Sequence, residues 1–80
     1  MLLHIGQGNF VNMNKFLSVV DYNSTPVHRD VQEAKKMGKL INATKGRLTK
    51  TVMYMTDGYI LLSARDPAVI FERYQLRKEG

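Results

Sequence analysis

The stretch TVMYMTDGYILLS, residues 51–63, decides the fold. It contains two apolar runs rich in β-branched and aromatic residues, Thr51 to Met55 and Tyr59 to Ser63, set about the dipeptide Asp57-Gly58. Asp-Gly is favoured in tight two-residue hairpin turns because both central positions there require a positive φ. The spacing predicts an antiparallel hairpin, and the rest of the chain must supply what covers it.

Upstream, STPVHRDVQEAKKMG, residues 24–38, changes period. Val27, Val31 and Ala34 recur at four and three residues and Met37 follows three later, which is one face of a helix. Thr25 is expected as N-cap and Pro26 at the first helical position, where a missing N–H costs nothing. Gly38 is free to take the left-handed conformation that ends a helix.

Further out, Leu2 to Ile5 and Phe16 to Val20 read as strands, with Phe10 and Val11 as an early start of the second. Leu40 and Ile41 form a brief strand before Asn42, Thr44, Gly46 and Thr49 interrupt any period. RDPAVIFERYQLRKEG, residues 65–80, repeats the helix-start logic with Asp66 as N-cap and Pro67 first. Val69, Ile70 and Tyr74 supply its buried stripe, and the helix should run to about Leu76. The order is β-β-α-(β)-β-β-α in one domain across residues 1–80. This is an α+β fold on a mostly antiparallel sheet.

A chain of 80 residues without cysteine has a thin margin of stability and no disulfides to widen it. Self-association is the natural remedy. The opening MLLHIGQGNF has neither a basic leader nor a long apolar core, and no apolar run approaches a membrane span. The chain is expected to be soluble, cytoplasmic and free of membrane. Its formal net charge of +5 and pI of about 9.8 favour a polyanionic partner.

Enzymatic chemistry finds little support. His4 and His28 are the only histidines, and neither belongs to a metal-ligand spacing. His4 lies in an apolar strand and reads as structural, whereas His28 should point outward from its helix. Asp30 and Glu33 are placed to pair with Arg29 or Lys36 along the helix. Gly6-Gln7-Gly8 invites a phosphate-loop reading, but a strand follows where that motif needs a helix, so a bend is expected. No catalytic residue, metal, cofactor or small-molecule substrate is indicated.

The basic run KKMGKLINATKGRLTK, residues 35–50, carries Lys35, Lys36, Lys39, Lys45, Arg47 and Lys50 without a carboxylate, half of the twelve cations in the chain. The lysines at the helix end complement its dipole. Lys45, Arg47 and Lys50 have no such role, and a solvated loop stands against a loop that offers them to phosphates. Thr44 and Thr49 hydroxyls and the Gly46 N–H would be neutral donors beside them. No aromatic residue is interleaved in the run, which favours duplex backbone over stacked single-stranded bases.

HIGQGNFVNMNKFLSVV, then STPVHRDVQEAKKMGKLINATKGRLTKTVM, then GYILLSARDPAVI, resemble the bacterial RemA family of extracellular-matrix regulatory proteins along nearly the whole chain. The sharpest matches are Gly6, Gly8, Asn9, Pro26, the segment Ile41 to Arg47, and Leu62 to Ala64 ahead of Pro67. The resemblance implies a nucleoid-associated regulator that binds double-stranded DNA with little sequence preference and activates biofilm-matrix genes. It further implies a ring-shaped homo-oligomer and a likeness to LytTR-type DNA-binding domains. The family's contacts carry over to Arg47 and Lys50 in the loop and to Lys15 before the second predicted strand. Leu48 departs from the family, which often has a second basic residue there, and Lys45 is the nearest substitute charge. The competing reading is a non-enzymatic interaction module whose basic face meets an acidic protein.

Overall fold

The computed structural model describes residues 2–12 and 14–79. A two-stranded antiparallel ribbon, β1 (Leu2–Gly6) with β2 (Asn9–Asn12), precedes β3 (Phe16–Asp21), α1 (Thr25–Lys36), β4 (Leu40–Asn42), β5 (Thr51–Met55), β6 (Ile60–Ser63) and α2 (Pro67–Glu79). The other four strands form one sheet in the order β3-β5-β6-β4, antiparallel except for the β4–β6 pair. The fold is α+β.

Alternation along β5 and β6 builds a core on each side of that sheet. Met53, Met55 and Leu61 face Leu3, Ile5 and Val11 of the ribbon and Ile70 of α2. Val52, Ile60 and Leu62 face Val31 and Ala34 of α1. A hairpin covered on both faces reads as continuous apolar sequence, which is why residues 51–63 hold so few polar side chains. The total stability of an 80-residue domain is roughly 4–12 kcal/mol, and truncating a buried methionine such as Met53 costs about 2–5. The central hairpin therefore carries a large share of the margin.

The turn between β5 and β6 is as expected in its chemistry and one residue longer in its span. Asp57 and Gly58 both have positive φ, 64° and 78°, and Tyr59 N–H returns to the Thr56 carbonyl. Thr56 to Tyr59 form the connection, so β6 begins at Ile60 rather than Tyr59.

Four other expectations are corrected. Phe10 and Val11 do not extend β3; they belong to the separate strand β2, which folds back on β1 through Gln7-Gly8. Ser24, not Thr25, caps α1: its Oγ accepts the Val27 N–H at 3.3 Å. Pro26 has no N–H to give, so the cap takes the next amide along. Met37, expected on the buried face, is 62% exposed beyond the last turn. Finally, α2 runs past Leu76 to Glu79, since Arg77, Lys78 and Glu79 are good helix formers with no breaker among them.

Gly38 ends α1 as expected, with φ 71°. Lys39 N–H bonds to the Ala34 carbonyl and Gly38 N–H to that of Lys35, the paired bonds of a Schellman cap. Asp66 caps α2 by accepting the Ala68 N–H at 3.0 Å. His4 is half-buried, with its carbonyl accepting from Arg73 Nη1 at 3.0 Å and its ring 5.0 Å from that of Phe10. His28 is exposed, its ring 4.4 Å from that of Tyr22. Asp30 does not depend on a helix neighbour: it accepts from the Tyr54 hydroxyl at 2.6 Å.

Candidate nucleic-acid interface

The loop from Ala43 to Lys50 is pinned at both ends. Ala43 N–H donates to the Leu62 carbonyl at 3.0 Å, and Lys50 N–H to that of Ser63 at 3.0 Å. Within it, Asn42 Oδ1 accepts both the Thr44 N–H, at 3.0 Å, and the Thr44 hydroxyl, at 2.7 Å. A tight turn follows in which Lys45 and Gly46 take positive φ, 51° and 80°, closed by Arg47 N–H on the Thr44 carbonyl at 3.1 Å. Lysine is an unusual occupant of that region. The turn delivers Arg47 and Leu48 to solvent, Leu48 at 80% exposure.

The Gly6-Gln7-Gly8 bend faces this loop. All three residues have positive φ, and Asn9, just beyond, donates from Nδ2 to the Ala43 carbonyl at 3.0 Å. A Cβ on Gly8 would stand 3.5 Å from Lys45 Nζ, and one on Gly6 would stand 2.6 Å from Arg65 Cγ. Gly6 thus leaves room for the Arg65 side chain, while the Lys45 ammonium lies in ordinary contact range of Gly8. The expected bend is the turn of the β1–β2 ribbon, a hairpin that the sequence reading did not anticipate, and it also shapes the basic surface.

Gln7, Arg47, Leu48, Lys50, Ala64 and Arg65 line one concave surface of about 470 Å³. It gathers three cations and no carboxylate. With no anionic neighbour in the lining, the positive potential there is unopposed, and low-dielectric walls focus such a field. An oxyanion is the ligand this chemistry suits. Among the described residues there is no cluster of three or more histidines or carboxylates suited to a metal ion.

The rest of the basic run disperses. Lys35 and Lys36 end α1, and Lys39 Nζ donates to the Asp57 carbonyl at 2.8 Å, 5.5 Å from the Tyr59 ring centre. Of the expected contact residues, Arg47 and Lys50 come together and Lys45 lies beside them over Gly8. Thr49 is half-buried, and Thr44 is 3% exposed with its hydroxyl donating to Asn42 Oδ1, a bond that shapes the loop. Lys15 stands apart: its carbonyl accepts from Thr56 N–H at 2.7 Å, at the far end of β5 from Lys50. The five residues of β5 lie between them, a separation of roughly 20 Å along the strand.

Arg65 went unrecognised in the sequence, where it is fifteen residues beyond the basic run. Pairing of β5 with β6 sets Ser63 opposite Thr51 and so brings Arg65 back beside Lys50. The pairing was legible, but the space at Gly6 that admits the arginine was not.

Comparison with known proteins places this surface in context. Residues 2–74 match the RemA-like family, described as extracellular matrix regulatory protein A-like. The extracellular matrix regulatory protein A of Bacillus subtilis (strain 168) is 38% identical over 78 residues, spanning 98% of this chain and 88% of that protein. Two relatives named "putative regulatory protein" are similar to a like degree. That of Thermoanaerobacter sp. (strain X514) is 40% identical over 78 residues, 98% of this chain and 81% of its own length. That of Cyanothece sp. (strain PCC 7425) is 36% identical over 78 residues, with 98% and 86% covered.

Proposed function

The chain belongs to the RemA-like family, and from that premise we propose that it is a DNA-binding regulator of extracellular-matrix genes rather than an enzyme. It grips the duplex backbone through the surface formed by Arg47 and Lys50, with Lys45 adding charge and Thr49 a neutral donor. The observation that carries this reading is the convergence of Arg47, Lys50 and Arg65 on one concave surface whose lining holds no carboxylate. Phosphate contacts fix a protein on DNA without reading sequence, so recognition rests on shape and deformability more than on base edges.

A single protomer with three or four phosphate contacts binds weakly, because salt titrates such contacts away. The reading therefore includes a ring-like homo-oligomer that repeats the surface, so that later contacts form at high effective concentration. Leu17 at 70% and Phe71 at 56% exposure line one apolar groove between β3 and α2, which supports burial against another copy. Lys15, distant from the cleft within one protomer, would anchor the backbone at a second point.

The test is fluorescence anisotropy of a labelled duplex of about 40 base pairs over a range of salt concentrations. Log affinity should fall with log salt by well over about three units per decade, more than one protomer supplies. Arg47→Ala should abolish most of the binding. Folded protein that fails to bind duplex at low salt would overturn the reading and return the basic surface to a protein partner.

A further inference from the structure

The backbone of Arg65 is fixed from three strands. Its N–H donates to Ser63 Oγ at 3.1 Å and its carbonyl accepts from Thr51 Oγ1. Ser63 Oγ in turn donates to the Ile5 carbonyl at 2.6 Å. Thr51 and Ser63 are fully buried, so this tie is shielded from competing water. The side-chain stem then lies across Gly6, where a Cβ would stand 2.6 Å from Cγ and 3.0 Å from Nε. A side chain at position 6 would displace it.

Among the residues that line the cleft with it, the head group meets no acid. Nε is buried and has no hydrogen-bond partner among the described residues, an arrangement that is unfavourable in a folded protein. A structural arginine is normally satisfied by carbonyls or a carboxylate, and this one instead lines the cleft with Arg47 and Lys50. A third cation without an acid in one cleft is best matched by a tetrahedral oxyanion. The planar fork of a guanidinium offers parallel N–H groups to phosphate, which an ammonium does not.

We propose that Arg65 is a second phosphate-binding arginine of the basic cleft, gripping the DNA backbone beside Arg47 through its guanidinium fork. The inference rests on the reading of the protein as DNA-binding. The two arginines have different roles. Arg47 reaches outward from a turn, whereas Arg65 is fixed by buried hydrogen bonds and by the floor at Gly6, so less side-chain freedom is lost when it engages. It gives the duplex a fixed point of register on the body of the domain.

The experiment uses the full chain, the same duplex and the same salt series, with Arg65→Gln beside wild type and Arg47→Ala. Glutamine keeps much of the stem over Gly6 and removes the charge. Losing one phosphate contact should flatten the salt dependence by about 0.9 per engaged protomer, equivalent to roughly eightfold weaker binding per contact at about 0.1 M salt. A folded Arg65→Gln with wild-type affinity and slope, while Arg47→Ala is impaired, would overturn this inference alone. Weakened binding with an unchanged slope would also overturn it, marking Arg65 as structural. Wild type that binds no duplex would overturn both readings. Should Arg65→Gln fail to fold, Arg65→Lys takes its place: a wild-type slope with weaker affinity supports the fork, and wild-type affinity overturns it.

Discussion

Asn9 and Ala43 are joined across 34 positions of sequence by a single hydrogen bond, Nδ2 to carbonyl, at 3.0 Å. The same amide lies 3.3 Å from the carbonyls of Gly6 and Gln7, so one side chain ties the bend under Arg65 to the start of the loop that carries Arg47. Asn9→Ala should destabilise the domain by about 1–3 kcal/mol, as expected when part-buried carbonyls lose their donor. Duplex affinity should fall while its salt slope stays at the wild-type value, because no charge is removed. Urea unfolding together with the anisotropy series separates the two effects.

Thr44→Val tests whether that hydroxyl meets DNA. Valine preserves the volume at this buried position and deletes the 2.7 Å bond to Asn42 Oδ1, which keeps the Thr44 N–H. A loss of about 1 kcal/mol in stability is expected, with duplex affinity at low salt close to wild type. Selective loss of DNA binding at unchanged stability would return Thr44 to the contact surface.

Lys15 and Lys50 should act independently. Their separation along β5 exceeds the distance within which charges on one surface couple strongly, so Lys15→Ala and Lys50→Ala should add to within about 0.5 kcal/mol in duplex binding. Arg47→Ala with Lys50→Ala, both in one cleft, should depart from additivity. A double-mutant cycle on each pair makes the comparison, and strong coupling between positions 15 and 50 would show that both meet the same few phosphates.

Tyr54 predicts an alkaline signature. Burial first, then the hydrogen bond to Asp30 and its negative charge, push the phenol up to about 12 from its ordinary 10.0. The folded state therefore holds this proton more tightly than the unfolded chain. The stabilisation is complete below pH 10 and is lost as pH rises through about 12. The stability difference between wild type and Tyr54→Phe, measured by denaturant unfolding, should shrink between those values. A constant difference would mean that the phenol keeps no special hold on its proton.

Much of this architecture was legible because local chemistry and global fold agree. Asp57-Gly58, Pro26 with Gly38, and Asp66-Pro67 each carry a backbone requirement that few residues satisfy, and each marks the element it was expected to mark. The ribbon of β1 and β2 was missed for the converse reason. Its turn uses Gln7 at φ 55°, and glutamine gives no sign of that conformation. The fixing of Thr44 was legible in the sequence, since Asn42 two residues earlier is placed to turn its oxygen onto the Thr44 N–H, as asparagine commonly does. At the cleft, Arg47 and Lys50 were evident as charge in a loop. Arg65 required a fact that no sequence window contains, the vacancy over Gly6 on a strand nearly sixty residues away.

That same distance sets a clock on the making of the protein. Ser63 meets the Ile5 carbonyl from 58 residues later in the chain, and Ile70 closes the core over Leu3 and Ile5 later still. A ribosome adds about 5–20 residues per second, so the ribbon waits on the order of 3 to 12 seconds between its own synthesis and that of its partners. During that interval Leu3, Ile5 and Val11 gain Val19, Ala43, Met53 and Met55 as these are made, but they lack Leu61 and the cover that Ile70 supplies. The apolar face of the ribbon is thus complete only once α2 has been made, and it is the part of the nascent chain on which a chaperone would act.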